Sequence, residues 1–234
     1  MSTKVKEYNW LTQNTKIKKM SGLKTYNWGI PAYKAKDGFA TCPNAAACAK
    51  GCYATMGAYM FSNVAKVFES RLKLARSPRF IKIIHAEIKR HNIQRLRIHD
   101  SGDFFNKAYL EQWLNIIKAN PQCQFYAYTK MVSMFKEYAL DGLIPDNFIV
   151  IYSYGGTEDK LIDKNTDRHS WVFSSVEALQ TAGYADAHLD DSVATDNNPK
   201  IGLVYHGTKN YDNTDWFKVK DNKGDAGSEE PASL

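Results

Sequence analysis

The alternation of strand-like and helix-like segments most limits what this 234-residue chain can fold into. Short apolar or alternating runs predict strands at GFATC, RLRIHDSGD, CQFYAYTK, NFIVIYSYGG, SWVFSS and KIGLVYHG. Segments with helical spacing separate most of them, for example GAYMFSNVAKVFESRLKLAR, NKAYLEQWLNIIKAN and MVSMFKEYALDG. Because consecutive parallel strands need a long crossover, usually a helix, the alternation predicts an α/β fold with mainly parallel strands.

A partial TIM-like (β/α)6 barrel is the architecture that we predict, since a complete eight-unit barrel typically needs about 250 residues. A doubly wound open sheet is the alternative. Residues 1–35 are predicted to form an N-terminal arm that packs on the core and holds at most one short strand. Residues 36–220 are predicted to form a single α/β domain, and the small, polar residues 221–234 a disordered acidic tail. Ser77 and Pro78 predict the start of a second helix.

The charge of the chain is unevenly distributed. Residues 1–100 hold 19 Lys and Arg against 5 Asp and Glu, whereas the remainder is acidic. A basic half can face a phosphate-rich partner or an anionic cofactor, although basic side chains also simply decorate solvated helices. No apolar run is long enough to span a membrane, and the polar, lysine-rich N-terminus is unlike a secretory signal. These features predict a cytoplasmic protein without a membrane partner.

Three of the four cysteines lie within eleven positions, in the segment TCPNAAACAKGCYA. Cys42, Cys48 and Cys52 have the spacing C-x5-C-x3-C, and the small residues between them let the backbone curl tightly around a metal centre. Three cysteines in one loop, without a second pair, predict a [4Fe-4S] cluster with one iron open to a small-molecule ligand. Zinc held by three cysteines and a histidine is the alternative. Cys123 is predicted to be a core thiol, because it begins a strand whose other end faces the ligand edge.

Polar or glycine-rich groups end four of the predicted strands. In α/β proteins, ligands bind at the C-terminal ends of the strands. The HDSGD group carries the strongest signal, because two acids and a histidine are costly to bury without partners. We therefore predict that His99, Ser101, Gly102 and Asp103 contact a ligand or the cluster, with helix capping as the alternative. The groups are His99-Asp100-Ser101-Gly102-Asp103, Tyr128-Thr129-Lys130, Ser153-Tyr154-Gly155-Gly156 and His206-Gly207.

Taken together, TCPNAAACAKGCYATMGAY, RIHDSGDFF and FYAYTK resemble the phage gene product 88 family, over about residues 19–130. That family looks like a divergent relative of radical S-adenosylmethionine enzymes, whose partial barrels carry a three-cysteine loop after the first strand. The resemblance implies that Tyr53 matches the aromatic residue beside the last cysteine. It also places Gly102-Asp103 at the methionine-binding Gly–Glu element, and implies that Lys130 and Ser153 contact the carboxylate and ribose of S-adenosylmethionine. A phage-encoded chain would work in the host cytoplasm.

Three functions follow as hypotheses. The first is an iron–sulfur protein on a radical-enzyme-like scaffold that cleaves S-adenosylmethionine reductively, using an electron donor that the sequence does not identify. The second keeps the cluster but acts in electron transfer or regulation; the spacing C-x5-C-x3-C, in place of the C-x3-C-x2-C of radical enzymes, motivates it. The third is a zinc-stabilised nucleic-acid-binding protein, which the basic first half and many aromatic residues suggest.

Overall fold

The computed structural model describes residues 9–205. The predicted ligand group His206-Gly207 and the predicted tail 221–234 lie outside these residues. Within them, no helix combines the length and the apolar character needed to cross a bilayer. The helices are α1 Thr15–Lys19, α2 Ala47–Lys50, α3 Ser62–Ala75, α4 Phe80–Arg90, α5 Lys107–Lys118, α6 Val132–Leu140 and α7 Val176–Thr181. The strands are β1 Thr25–Trp28, β2 Arg95–Ile98, β3 Gln124–Thr129, β4 Phe148–Ser153, β5 His169–Phe173, β6 Ala185–Asp186 and β7 Lys200–Val204.

Side-chain caps define several helix starts. The Asn106 side chain accepts a hydrogen bond from the backbone of Tyr109 and begins α5, as expected of an asparagine N-cap. The start of the second helix, α4, was predicted at Ser77 and Pro78. That helix begins at Phe80, and the Ser77 hydroxyl instead accepts a hydrogen bond from the Arg79 N–H in the turn before it. Pro78 favours this turn because its nitrogen has no hydrogen to donate.

All seven strands form one parallel sheet in the order β1-β2-β3-β4-β5-β7-β6. The predicted α/β class with parallel strands is therefore confirmed. The predicted strand GFATC is wrong: Ala40 makes only an isolated bridge to Lys34, and the first strand is Thr25–Trp28. Strands β1 to β5 follow the chain order, without the reversal that defines a doubly wound sheet. The division into residues 1–35, 36–220 and 221–234 stays a prediction.

The two faces of the sheet differ in what covers them. On one face, helices α3 to α6 bury the main core, which includes Trp28, Ile98, Phe125 and Trp113. We call the opposite face the polar face. It carries the alternate strand residues, namely Arg97, Tyr126, Tyr128, Ser153 and Ser170. A smaller cluster covers it, in which Ile17 and Met20 from α1 and its C-terminal end, together with Ala187 and Ala194, pack on Tyr126, Tyr128, Ile151 and Ile201.

Candidate functional site: the cysteine loop at the edge of the sheet

The cysteine loop, residues 41–56, contains only short structural elements. Cys42 opens a tight turn, Cys48 lies in the single turn of α2, and Cys52 precedes the short 3₁₀ helix Tyr53–Thr55. Cys48 is buried, whereas Cys42 and Cys52 are half-buried. All three are free thiols. Cys123 is also free but fully buried in the main core, which confirms its prediction as a core thiol.

Backbone hydrogen bonds fasten this loop to the C-terminal end of β4. The N–H groups of Ala46 and Cys48 both donate to the Gly155 carbonyl, at 3.2 and 3.1 Å. In the other direction, the Thr157 N–H donates to the Asn44 carbonyl at 2.9 Å. A Cβ at Gly156 would lie 3.0 Å from that same carbonyl oxygen, so a side chain there would crowd the loop. The loop thus lies against the edge of the sheet where α/β proteins bind ligands.

Asp103 ties the cysteine loop to two further strand ends. Its N–H donates to the Thr41 carbonyl at 3.0 Å, immediately before the first cysteine. Its carboxylate accepts hydrogen bonds from the Thr129 hydroxyl (2.7 Å), the Phe104 N–H (2.8 Å) and the Lys130 N–H (2.9 Å). Desolvation raises the pKa of this buried carboxyl. Asp103 therefore holds the ends of β2 and β3 and the loop in one arrangement.

The structure brings Lys130 and Ser153 together, two residues that the resemblance assigns to cofactor binding. The Lys130 ammonium donates to the Ser153 hydroxyl at 2.9 Å. Burial by itself lowers the pKa of Lys130, but its electrostatic interactions with Cys48, Asp103, Asp159 and Cys42 raise it above its ordinary value. This lysine is consequently a fixed positive charge beside the thiols.

The other residues of the HDSGD group have mainly local roles. The Ser101 carbonyl accepts a hydrogen bond from the Ile30 N–H at 3.0 Å. Gly102 has a φ of +82°, and a Cβ there would lie 2.2 Å from the Ile30 side chain. The turn therefore requires glycine at this position. No contact of these two residues with the thiols is present in the described part of the chain, and their predicted ligand role stays a prediction.

His99 lies inside the main core and does not face the loop. Its ring packs edge-on against Phe104, with centroids 4.8 Å apart, and against Tyr109. The only hydrogen bond found for the ring within residues 9–205 joins Nδ1 to the Ser101 carbonyl, at a long 3.4 Å. Desolvation lowers the pKa of His99 to about 3. The imidazole is therefore neutral at physiological pH.

We expect His99 to make the folded state sensitive to acid. Its folded pKa, about 3, lies below the ordinary value of 6.5. As the pH falls between these values, the unfolded chain takes up a proton that the folded chain does not. The free energy of unfolding therefore falls by up to about 1.4 kcal/mol per pH unit. His99→Asn, which tolerates the positive φ of this position, should show a smaller pH dependence of unfolding by urea. Equal slopes for both proteins would contradict this assignment.

Tyr53 links the cysteine loop to the interior of the protein. Its hydroxyl donates to the Asp100 carbonyl, although nearly half of the side chain is exposed. The Asp100 carboxylate in turn accepts hydrogen bonds from the amides of Asn27 (2.6 Å) and Asn14 (3.3 Å). Tyr53 directly follows Cys52, so its hydrogen bond fastens this part of the cysteine loop to the end of β2.

Burial keeps the thiols of Cys42 and Cys52 protonated in the loop as it stands. Desolvation raises the pKa of Cys42 to about 12, and the negative charge of Asp103 and the neighbouring Cys52 and Cys48 act in the same direction. Desolvation also raises the pKa of Cys52, with Cys48 adding to the effect. Thiolates in this loop would therefore need a bound cation. In the described residues, no three His, Cys, Asp or Glu side chains form a ready site for a single metal ion.

Sequence reasoning missed two supports of this loop. The Asp159 carboxylate accepts hydrogen bonds from the N–H groups of Gly155 and Gly156, both at 2.8 Å, and so shapes the turn that receives the cysteine loop. The Asn44 side chain donates to the Lys130 carbonyl at 3.3 Å. An acid three residues after a glycine pair is a weak signal of such a turn, and the Asn44 contact has no signal in the sequence.

The fold and this loop define an α/β protein that presents three thiols at the C-terminal edge of a parallel sheet. The family model described as Gene product 88 matches residues 3–224, and the chain belongs to this family. The "Gene 88 protein" of Mycobacterium phage L5 is 33% identical over 103 residues, which are 39% of this chain and 43% of that protein. The similarity therefore spans less than half the length of that relative. No solved structure matches the chain.

Proposed function

We propose that this protein binds one [4Fe-4S] cluster through Cys42, Cys48 and Cys52. The observation that carries the proposal is the placement of three free thiols in one loop, held by hydrogen bonds against the ligand-binding edge of the sheet. Thiolates are the usual protein ligands of such clusters. Three protein ligands leave one iron for a small molecule.

The surroundings of the thiols suit a cluster better than zinc. A zinc ion needs its ligand atoms to converge on one point at about 2.0–2.3 Å, and no three candidate ligands among residues 9–205 do so. In a cluster, each thiolate binds a different iron atom, so the sulfur atoms need not converge. Three thiolates bring negative charge into a buried loop, and the Lys130 ammonium supports that charge.

The architecture supports a TIM-like partial barrel as the finer description of the scaffold. Strands β1 to β5 run in chain order, and α3 to α6 lie on one face of the sheet, as in a barrel. The reversed order of β7 and β6 departs from a simple (β/α)6 succession. On such a scaffold, a cluster with bound S-adenosylmethionine would supply one electron for reductive cleavage of that cofactor. Lys130 and Ser153 would orient it beside the cysteine loop.

A non-catalytic iron–sulfur protein is the second candidate, and Asp103 favours it. Asp103 lies at the position that the resemblance assigns to methionine binding. Both of its carboxylate oxygens already accept hydrogen bonds, from Thr129, Phe104 and Lys130. A cofactor amino group would have to share or displace these bonds. The cluster would then serve electron transfer or regulation.

Anaerobic purification with counts of iron and sulfide tests the cluster. We expect about four of each per chain and a brown protein. Cys48→Ala should lose most of the iron, whereas Cys123→Ala, the matched control in the main core, should keep it. A colourless protein with stoichiometric zinc, or equal iron in the two variants, would reject the proposal.

Paramagnetic resonance of the reduced protein separates the two candidates. If S-adenosylmethionine binds the open iron, its addition should change the cluster spectrum, and reduced protein should release 5′-deoxyadenosine. An unchanged spectrum with intact iron and sulfide would assign the protein to the non-catalytic class.

A further inference from the structure

We propose that the polar face of the sheet binds the anionic group, carboxylate or phosphate, of a small molecule. Arg97 is the cationic partner of this group, the Tyr128 hydroxyl is its hydrogen-bonding partner, and the Ser170 hydroxyl binds another part of the same molecule. This site goes beyond the iron–sulfur proposal and does not require the cluster.

Three buried polar atoms on this face lack partners. Arg97, Tyr128 and Ser170 are only 8%, 9% and 1% exposed. Within residues 9–205, neither Arg97 Nε, Tyr128 Oη nor Ser170 Oγ makes a hydrogen bond. Buried polar groups nearly always have partners, because an unsatisfied one costs about 1–3 kcal/mol. Three such atoms on one face indicate that a bound molecule supplies their hydrogen-bond partners.

The Arg97 and Tyr128 side chains lie together, and Ser170 lies farther along the same face. The Arg97 guanidinium lies over the Tyr128 ring, 5.0 Å from its centroid. Tyr128 pairs with Ile151 on β4, and Ser153, two positions further along that strand, pairs with Ser170 on β5. Because alternate residues face the same side, Ser170 shares the face of Tyr128, but it lies two strands away, about 10 Å across the sheet and about 7 Å nearer the C-terminal edge. The site therefore extends toward the cysteine loop.

Neighbouring side chains hold the Arg97 guanidinium in place. Its Nη1 donates to the Asp191 carboxylate at 2.6 Å, and the Tyr126 hydroxyl donates to the same oxygen at 3.1 Å. The Lys16 ammonium lies 2.8 Å from the other carboxylate oxygen. With Nη1 engaged, Nε remains as a charged donor.

The balance of charge favours an anion. Asp191 is shared by two cations, Arg97 and Lys16, and they hold its pKa below the ordinary value although burial alone would raise it. Asp100 also interacts electrostatically with Arg97, but a second arginine, Arg71, shares its charge. A carboxylate or phosphate would add a second negative charge beside Asp191 and would accept a hydrogen bond from Arg97 Nε. A neutral ligand would leave the positive charge of Arg97 and Lys16 unbalanced.

Thermal unfolding of the purified full chain tests the site. Sodium acetate, succinate and phosphate are compared with chloride at matched ionic strength, and the anion that acts distinguishes a carboxylate ligand from a phosphate ligand. We expect at least one to raise the melting temperature saturably above chloride. If none does, the proposal is rejected. Iron and sulfide are measured on the same samples, so a failure of the cluster proposal is recognised separately.

Two tyrosines on opposite sides of the sheet provide a matched pair of variants. Tyr128→Phe removes an unpartnered hydroxyl, so the melting temperature without anion should stay equal or rise, while the apparent affinity for the anion falls about ten-fold or more. The control, Tyr138→Phe, removes a hydroxyl bonded to Glu111 among the helices of the main core; it should lower the melting temperature and leave the anion affinity unchanged. Undiminished affinity in Tyr128→Phe would overturn the proposal.

Discussion

Replacing Asp191 by alanine is expected to lower the free energy of unfolding by about 3–5 kcal/mol, because it leaves buried positive charge without its counter-ion. Asp191 is fully buried and is the carboxylate that pairs with both Arg97 and Lys16. Without it, a guanidinium that is 8% exposed has lost its ion pair. The Tyr126 hydroxyl also loses its acceptor oxygen. Urea unfolding monitored by circular dichroism measures the loss.

Asp196→Ala is the matched control in the same segment. Asp196 lies 3.6 Å from Arg168 and nearly half of its side chain is exposed. Solvent weakens such a pair, so we expect a change within about 1 kcal/mol. Similar losses for the two variants would show that the buried ion pairs of Asp191 add no particular stability.

Asp103→Ala should both destabilise the fold and disturb the cysteine loop. It removes three hydrogen bonds and leaves the N–H groups of Phe104 and Lys130 without their acceptor, at about 1–3 kcal/mol for each buried group left unpaired. The expected loss is about 3–5 kcal/mol in urea unfolding. The Asp103 carboxylate also fixes the position of its own backbone N–H, which bonds the Thr41 carbonyl beside the first cysteine. Loss of the carboxylate should therefore loosen the cysteine loop and lower the iron content after anaerobic purification.

Asp103→Asn provides the graded comparison. The amide keeps one oxygen, which can still accept from Thr129 and Phe104, but its NH₂ group cannot accept from the Lys130 N–H. We therefore expect a loss smaller than that of alanine and an intermediate iron content. If asparagine and alanine were equally harmful, the charge of Asp103 rather than its hydrogen bonds would be the important property.

The sequence predicts the α/β class because β2 to β5 and β7 carry buried apolar or alternating runs. The sequence predicts strand β1, TYNW, less well, because its buried Asn27 makes a hydrogen bond to Asp100 in place of apolar packing. GFATC looks like a strand but has no neighbouring strand to pair with in the sheet. Pairing depends on the tertiary arrangement, which short-range periodicity does not contain.

The candidate site is predictable in its residue types and much less in their contacts. The cysteine spacing identifies the loop, but the hydrogen bonds to Gly155 that position it have no signal in the sequence. His99 and Asp103 look alike as buried polar residues beside a glycine. One packs among aromatic rings, and the other binds Thr129, 26 positions away. Arg97 meets Asp191 across 94 positions, which local patterns do not predict.

The hydrogen bonds between the cysteine loop and β4 have a consequence for how the protein matures. Ala46 and its acceptor Gly155 are 109 positions apart in the chain. During synthesis the loop emerges long before the strand that receives it, since translation adds only about 5–20 residues per second. For those seconds the nascent thiols are accessible to oxidants, and the proposed cluster could assemble in the finished arrangement only after β4 has joined the sheet.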